Sequence, residues 1–204
     1  MKNTIIKIVI LIETIAIIGL SIALILKYNE SDILKNDQEI EKKWLIRQED
    51  IPYDLSKADK YEIVQTYLNF SPEIRVRSFN NSEYVLTIKC DTALKGFVRE
   101  EHEWLISKEE YDKLITKKEG NTIYKTRYVL FDENNIEMEI DIFSGDVRGL
   151  ACLETEFTNT ESANNYGTPS WVIKDVTTDL NYKNGYLSRY GIPKSYYEYI
   201  NNKK

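Results

Sequence analysis

Charged residues beyond position 37 of this chain recur with a period of two and hold a single parity. Successive side chains of a β-strand point to opposite faces, so residues two apart share a face. In Glu39-Ile40-Glu41-Lys42-Lys43, the side chains of Glu39, Glu41 and Lys43 project together, with Ile40 and Trp44 on the other side. The pattern returns as Arg75/Arg77, Thr87/Lys89, Arg99/Glu101/Glu103, Lys125/Arg127, Glu139/Asp141 and Glu154/Glu156. Apolar residues take the opposite parity, as in Ile74/Val76, Leu86/Ile88, Ile136 to Ile142 and Leu153/Phe157. Few folds accept so many two-faced strands in one domain.

Eight segments read as strands, at about 38–46, 62–70, 73–78, 83–90, 97–106, 121–131, 136–143 and 146–157. Asn80-Asn81-Ser82, Glu133-Asn134-Asn135 and Ser144-Gly145-Asp146 are hairpin signals between them. Two helices are expected to interrupt the series. One covers about 56–62 behind Asp54 or Ser56; the other covers about 108–118, opened by the capping box Ser107-Lys108-Glu109-Glu110. In the tail, Trp171 to Val176 and Pro193 to Ile200 are further helix candidates.

Alternation alone fits two folds. One is an ordinary sheet with its polar face in water. The other is an eight-stranded antiparallel barrel, closed so that no edge is exposed, with the charges inside and the apolar parity outside under flanking helices. The segregation of the charges separates the two. A solvated face interleaves acids and bases, because opposite charges stabilise across strands. Here acids pair with acids (Glu39/Glu41, Glu139/Asp141, Glu154/Glu156) and bases with bases (Arg75/Arg77, Lys125/Arg127). Carboxylates suit hard cations such as Mg²⁺ or Mn²⁺. Arginine forks and ammonium groups suit phosphate oxygens. Both sets in one cavity describe a site for a metal-chelated polyphosphate.

The first 27 residues differ in kind. Ile8 to Leu26 is almost wholly aliphatic, between Lys2 and Lys7 on one side and Lys27 on the other. Nineteen residues in a helix rise about 28 Å, close to the hydrocarbon thickness of a bilayer. Residues 1–27 therefore read as a single-pass transmembrane anchor, 28–37 as a linker and 38–204 as the folded domain that carries the charged strands. A cleaved secretory signal is the rival, but its apolar region is usually shorter and no small-x-small site follows. Glu13 is costly in lipid unless protonated or turned to a partner helix. Flanking lysines are nearly balanced, so charge leaves the orientation open; the cytosolic abundance of triphosphates favours a cytosolic domain.

The net charge is −6, and residues 1–27 hold three Lys against one Glu, so the remainder is more acidic still. That excludes general nucleic-acid binding, which needs a basic face. Cys90 and Cys152 fall on opposite parities, so they read as free thiols rather than a disulfide. The single histidine, His102, has the apolar parity beside Trp104 and reads as structural.

The ordered set Glu39-x-Glu41-x-Lys43, Arg75-x-Arg77, Leu86-Thr87-Ile88-Lys89, Arg99-x-Glu101-x-Glu103 and Lys125-x-Arg127 resembles the CYTH domains, the triphosphate tunnel metalloenzymes. Glu139-Ile140-Asp141, Glu154-x-Glu156, Pro169-Ser170-Trp171 and Val176-Thr177-Thr178-Asp179 continue it, so that the resemblance spans about residues 38–188. It implies an eight-stranded antiparallel tunnel that hydrolyses triphosphates with Mg²⁺ or Mn²⁺, tripolyphosphate before others. By position, Glu39, Glu41, Glu154 and Glu156 would hold metal. Lys43, Arg75, Arg77, Lys89, Lys125 and Arg127 would bind the triphosphate. Glu103, Glu139 and Asp141 would orient and deprotonate the attacking water, with Glu101 giving further contacts. The resemblance implies a triphosphate partner; the apolar segment, unusual for small bacterial members, adds the bilayer along residues 8–26 and, through Glu13-bearing helices, a second copy in a homodimer.

Three departures narrow the resemblance. Asn181 stands where the family often has Arg, and Cys90 replaces a frequent Gly. The His-Phe pair of the bacterial adenylyl cyclases is absent before the first motif, which lowers the cyclase reading. Nucleoside or thiamine triphosphatases remain rivals; each needs a ring-binding surface at the tunnel mouth that sequence does not reveal. A membrane-tethered sensor that binds without turnover is the non-catalytic alternative.

Overall fold

In the computed structural model the backbone is described for residues 33–91 and 97–201 and the side chains for 39–90 and 97–201. The strands are β1 (Ile33–Leu45), β2 (Asp59–Phe70), β3 (Glu73–Phe79), β4 (Glu83–Asp91), β5 (Val98–Leu105), β6 (Glu119–Phe131), β7 (Glu137–Ser144), β8 (Ala151–Glu156) and a two-residue β9 (Lys174–Asp175). The helices are α1 (Lys108–Leu114), α2 (Thr160–Asn165), α3 (Asn184–Tyr190) and α4 (Lys194–Asn201). The sheet order is β5-β4-β3-β2-β6-β7-β8-β1-β9, and β5 also pairs with β1, so eight strands close into an antiparallel barrel.

Closure turns each strand's parity into inside and outside. Trp44, Ile46, Met138, Ile140, Ala151 and Leu153 form an outer apolar layer covered by Tyr53, Leu55, Tyr166, Trp171 and Val172. On the opposite wall, Val76 and Tyr84, with Leu86, lie under Tyr111, Leu114 and Ile115 at α1. The capping box holds α1 in place. Ser107 Oγ accepts from the Glu110 N–H at 3.2 Å, and Glu110 Oε2 accepts from the Ser107 N–H at 2.7 Å. At the β3–β4 turn, Asn80 and Asn81 take φ of 51° and 53°, a left-handed conformation that Asn tolerates. Asn80 Oδ1 also accepts from the Glu62 N–H at 2.8 Å, tying the turn to β2.

The inner face is not charged along its whole length. Leu45, Tyr67, Ile123, Phe143 and Cys152 continue the charged parity, yet they form a buried apolar cluster with Tyr182, Leu187 and Tyr196 from the tail. One end of the barrel is therefore plugged. Both cysteines are free thiols.

Several expected boundaries are corrected. The helix expected over 56–62 is a single 3-10 turn, Leu55–Lys57, with Asp54 accepting from the Ser56 N–H at 3.1 Å. From Asp59 the backbone enters the ladder with β6, opposite Val129, and pairing on both sides of β2 outweighs the local helical signal. Trp171 to Val176 is not helical. The Ile173 N–H donates to Leu45 O at 2.8 Å and the Val176 N–H to Lys43 O at 2.9 Å, so the segment satisfies its backbone on β1 instead. The strand expected from 146 begins only at Ala151, after a 3-10 turn over Gly145–Val147 in which Gly145 takes φ of 62°. β1 begins at Ile33, inside the segment read as a linker. The expected membrane span, residues 8–26, lies outside the described residues. Among the described residues no helix is long and apolar enough to cross a membrane.

Candidate active site

A cavity of about 490 Å³ runs inside the barrel. Eight basic and nine acidic side chains line it, a density that only mutual pairing makes tolerable out of bulk water. Every residue expected at the site from sequence lines this cavity except Asp141, which is fully buried in its wall. Glu156 reaches it from an exposed position on β8.

Arg127 is the hub of one wall. Its Nε donates to Asp141 Oδ1 at 2.8 Å, and its Nη2 donates to Asp141 Oδ2 at 2.7 Å and to Glu154 Oε2 at 2.6 Å. Nη1 pairs with Glu139. Lys125 also pairs with Asp141, and Lys43 with Glu154 at 2.7 Å. These contacts follow from register, since Arg127 faces Asp141 across β6–β7, Glu139 faces Glu154 across β7–β8, and Lys43 faces Glu154 across β8–β1.

The opposite wall repeats the arrangement. Lys89 bridges Glu39 and, at 2.9 Å, Glu101. Arg75 lies 3.5 Å from both Glu73 and Glu101. Arg77 pairs with Glu103, which also accepts from the Thr87 hydroxyl at 2.8 Å. The Nε donors of Arg75 and Arg77 are buried and meet no acceptor among the described residues.

Burial and neighbouring charge set the protonation of the acids. Burial raises Glu139 to about 7; Glu154, Asp141 and Glu156 add to that, against Arg127. Burial also raises Glu39, outweighing Lys89. Burial would lift Glu41 too, but Lys183 holds it down to about 2. Glu154 is held well below the carboxylate range against the same burial, by Lys43, Lys125 and Arg127. Burial, with Arg127 beside it, lowers Lys125. Glu139 thus changes charge near neutrality. Its folded value exceeds its unfolded one, so its contribution to stability is complete below about 4.5 and is lost as pH rises through 7. Glu139→Gln is therefore expected to stabilise the metal-free protein by up to about 3 kcal/mol at pH 8, with the gain vanishing by pH 4. Urea midpoints across that range test this, and a pH-independent difference would remove the assignment.

Lys183 was not among the residues singled out from sequence. Its Nζ contacts Glu41 Oε1 at 2.6 Å. Tyr182, buried with its hydroxyl 2.9 Å from Ser195 Oγ, anchors the tail beside it. The available signal was its place next to Tyr182 in the tail segment that carried the family resemblance. Glu73, Gln65 and Tyr67 were also missed. His102 lies on the outer face opposite Ile88, its ring 6.0 Å from that of Trp104.

Three of the four expected metal ligands are held in ion pairs. Glu39 turns to Lys89, Glu41 to Lys183 and Glu154 to Lys43 and Arg127. Among the described residues no three acidic, histidine or cysteine side chains converge as a metal cage. The donor chemistry nonetheless fits a hard cation. The donors are carboxylates, and the Cys152 thiol is pushed up to about 12 by burial and so stays protonated.

Comparison with known proteins agrees with the geometry. The CYTH domain model matches residues 37–183. An inorganic triphosphatase of Nitrosomonas europaea is 30% identical over 153 residues, covering 74% of this chain and 96% of that protein. A solved structure of an inorganic triphosphatase is similar at 29% identity with a TM-score of 0.54, over 74% of this chain and 93% of its own. Another solved structure, of a hypothetical protein, is similar at 30% identity and a TM-score of 0.55, over 76% and 99%.

Proposed function

The chain belongs to the CYTH domain family, and on that premise we propose that it hydrolyses triphosphates, inorganic tripolyphosphate foremost, to pyrophosphate and orthophosphate. One observation carries the reading. Eight basic side chains line one cavity, among them the buried Arg75 and the half-buried Arg77, whose Nε donors meet no acceptor among the described residues. Cations in that number suit a polyanion, the arginine forks above all.

Phosphoryl transfer leaves the protein little covalent work; positioning and charge neutralisation dominate. Lys43, Arg75, Arg77, Lys89, Lys125 and Arg127 would take the phosphate oxygens, exchanging carboxylate partners for phosphate ones. That exchange would free Glu39 and Glu154, which with Glu41 and Glu156 would hold Mg²⁺ or Mn²⁺. A cation held there would supply charge neutralisation. Glu139, which ionises near neutrality, accepts the proton of the attacking water. The new bond joins water oxygen to the terminal phosphorus, the bridging P–O bond breaks, and pyrophosphate leaves with that electron pair. Glu103, which lines the cavity beside Arg77, orients the water, and Asp141, buried in the wall, holds Lys125 and Arg127 in place.

A specific observation favours an organic triphosphate as a second reading. Tyr61 and Phe79 line the cavity beside the β3–β4 turn with ring centroids 6.4 Å apart, and Arg77 lies 5.2 Å over Phe79. A base or thiamine ring can stack there.

Phosphate release by the full-length chain from tripolyphosphate, ATP and thiamine triphosphate, with Mg²⁺ or Mn²⁺, tests both. Fastest turnover of tripolyphosphate is expected. Preference for ATP or thiamine triphosphate, lost in Tyr61→Ala, would establish the second reading. Tight triphosphate binding with no release from any substrate would make the protein a sensor.

Residues 8–26 would anchor the enzyme in the cell membrane, with residues 38–204 in the cytosol where triphosphates abound. Protease added to intact cells should then spare the domain; its digestion would place the domain outside.

A further inference from the structure

A second cavity, of about 290 Å³, lies against the first. Glu73, Arg99 and Lys183 line both, so charged side chains stand between the two spaces. Ion pairs hold that partition: Arg99 with Glu73 at 3.2 Å, and Lys183 with Glu41 at 2.6 Å. Gly185 of α3 faces the same place. A Cβ there would come 3.4 Å from Glu73 Oε2 and 3.6 Å from both Phe70 and Tyr67, so a larger side chain would fill the partition.

On the outer side stands Arg189, exposed, its guanidinium stacked 4.8 Å over Phe70 and 5.1 Å over Tyr190. No ion pair joins it to an acid among the described residues, unlike the cations of the tunnel. Stacking fixes the plane of the guanidinium and leaves its edge for a ligand. With Arg99, Lys183 and Arg189 against the one carboxylate of Glu73, the cavity is net basic on a chain of net charge −6.

We propose that this cavity is a second anion site that receives orthophosphate released in the tunnel, passed across the Glu73–Arg99 pair and held by Arg189. The proposal rests on the triphosphatase reading for the origin of the phosphate. An anion arriving at the partition takes over the Arg99 fork, while Glu73 retains Arg75 at 3.5 Å, so no buried charge is stranded in transit.

The test uses the full chain with its tunnel filled by non-hydrolysable imidotriphosphate, titrated calorimetrically with inorganic phosphate. Wild type is expected to bind phosphate still, and Arg189→Glu to bind it at least tenfold more weakly while binding imidotriphosphate normally. In turnover, the same variant should lower kcat and KM for tripolyphosphate together and leave kcat/KM unchanged, as slower product release does. Phosphate binding that disappears once the tunnel is filled, or that is equal in the two proteins, overturns the site. If imidotriphosphate itself fails to bind, the triphosphate reading falls. The titration without it still decides the outer site, since Arg189→Glu must then weaken phosphate binding and Arg189→Lys must largely retain it.

Discussion

Arg127→Ala is expected to destabilise the metal-free protein by about 3–5 kcal/mol at pH 7, because it strands buried charges that lose their common partner. Arg127 contacts Asp141 through two nitrogens and also reaches Glu154 and Glu139. Asp141 is fully buried, and in the variant only Lys125, itself weakened as a cation by burial, would face it. The stranded carboxylates would take up protons more readily in the folded than in the unfolded chain. Lowering the pH towards 4 should therefore shrink the deficit, the opposite of what loss of packing alone would give. Urea unfolding of both proteins at pH 7 and pH 4.5 measures this. A loss under about 1 kcal/mol at pH 7 would show that water entering the tunnel screens these charges as it does at a surface.

Glu41→Gln addresses the chemistry rather than the fold. Charge stabilisation by a bound divalent cation is worth several kcal/mol in the transition state, so weakening its hold should cost roughly a thousandfold in kcat/KM. The fold should survive. Gln is isosteric, and Lys183, the partner that loses its charge complement, sits partly buried at the cavity wall rather than in the apolar plug. The phosphate-binding cations are untouched, so imidotriphosphate affinity measured without metal should fall less than tenfold or even rise, one negative charge having left the cavity. Activity retained within a few fold, with near-UV circular dichroism unchanged, would remove Glu41 from the metal site.

Both predictions depend on contacts of different legibility. That Arg127, Asp141, Glu139 and Glu154 share an interior follows from parity, which a strand imposes locally and which the chain displays in every charged pair. Closure into a barrel was legible for a related reason, since charges sorted by sign into separate strands have no use on a solvated face. The resemblance to the CYTH domains rested on the same residues in the same order.

Partner choice was not legible. Arg127 and Asp141 are fourteen residues apart and meet only because β6 and β7 pair in one register; Lys183 and Glu41 are 142 apart and meet only because the tail returns to the barrel. The helix expected at 56–62 failed for the same kind of reason, as β2 exchanges hydrogen bonds on both sides once its neighbours are present.

By itself the sequence determined the strands, their two faces and the chemical character of each, because side-chain alternation is a property of a single extended segment. The tertiary structure alone decided that one end of the tunnel is plugged, that Lys183 joins the site, and that a second basic cavity adjoins the first. Each of those depends on where a closed barrel places its tail, and chain closure couples residues that no local pattern relates.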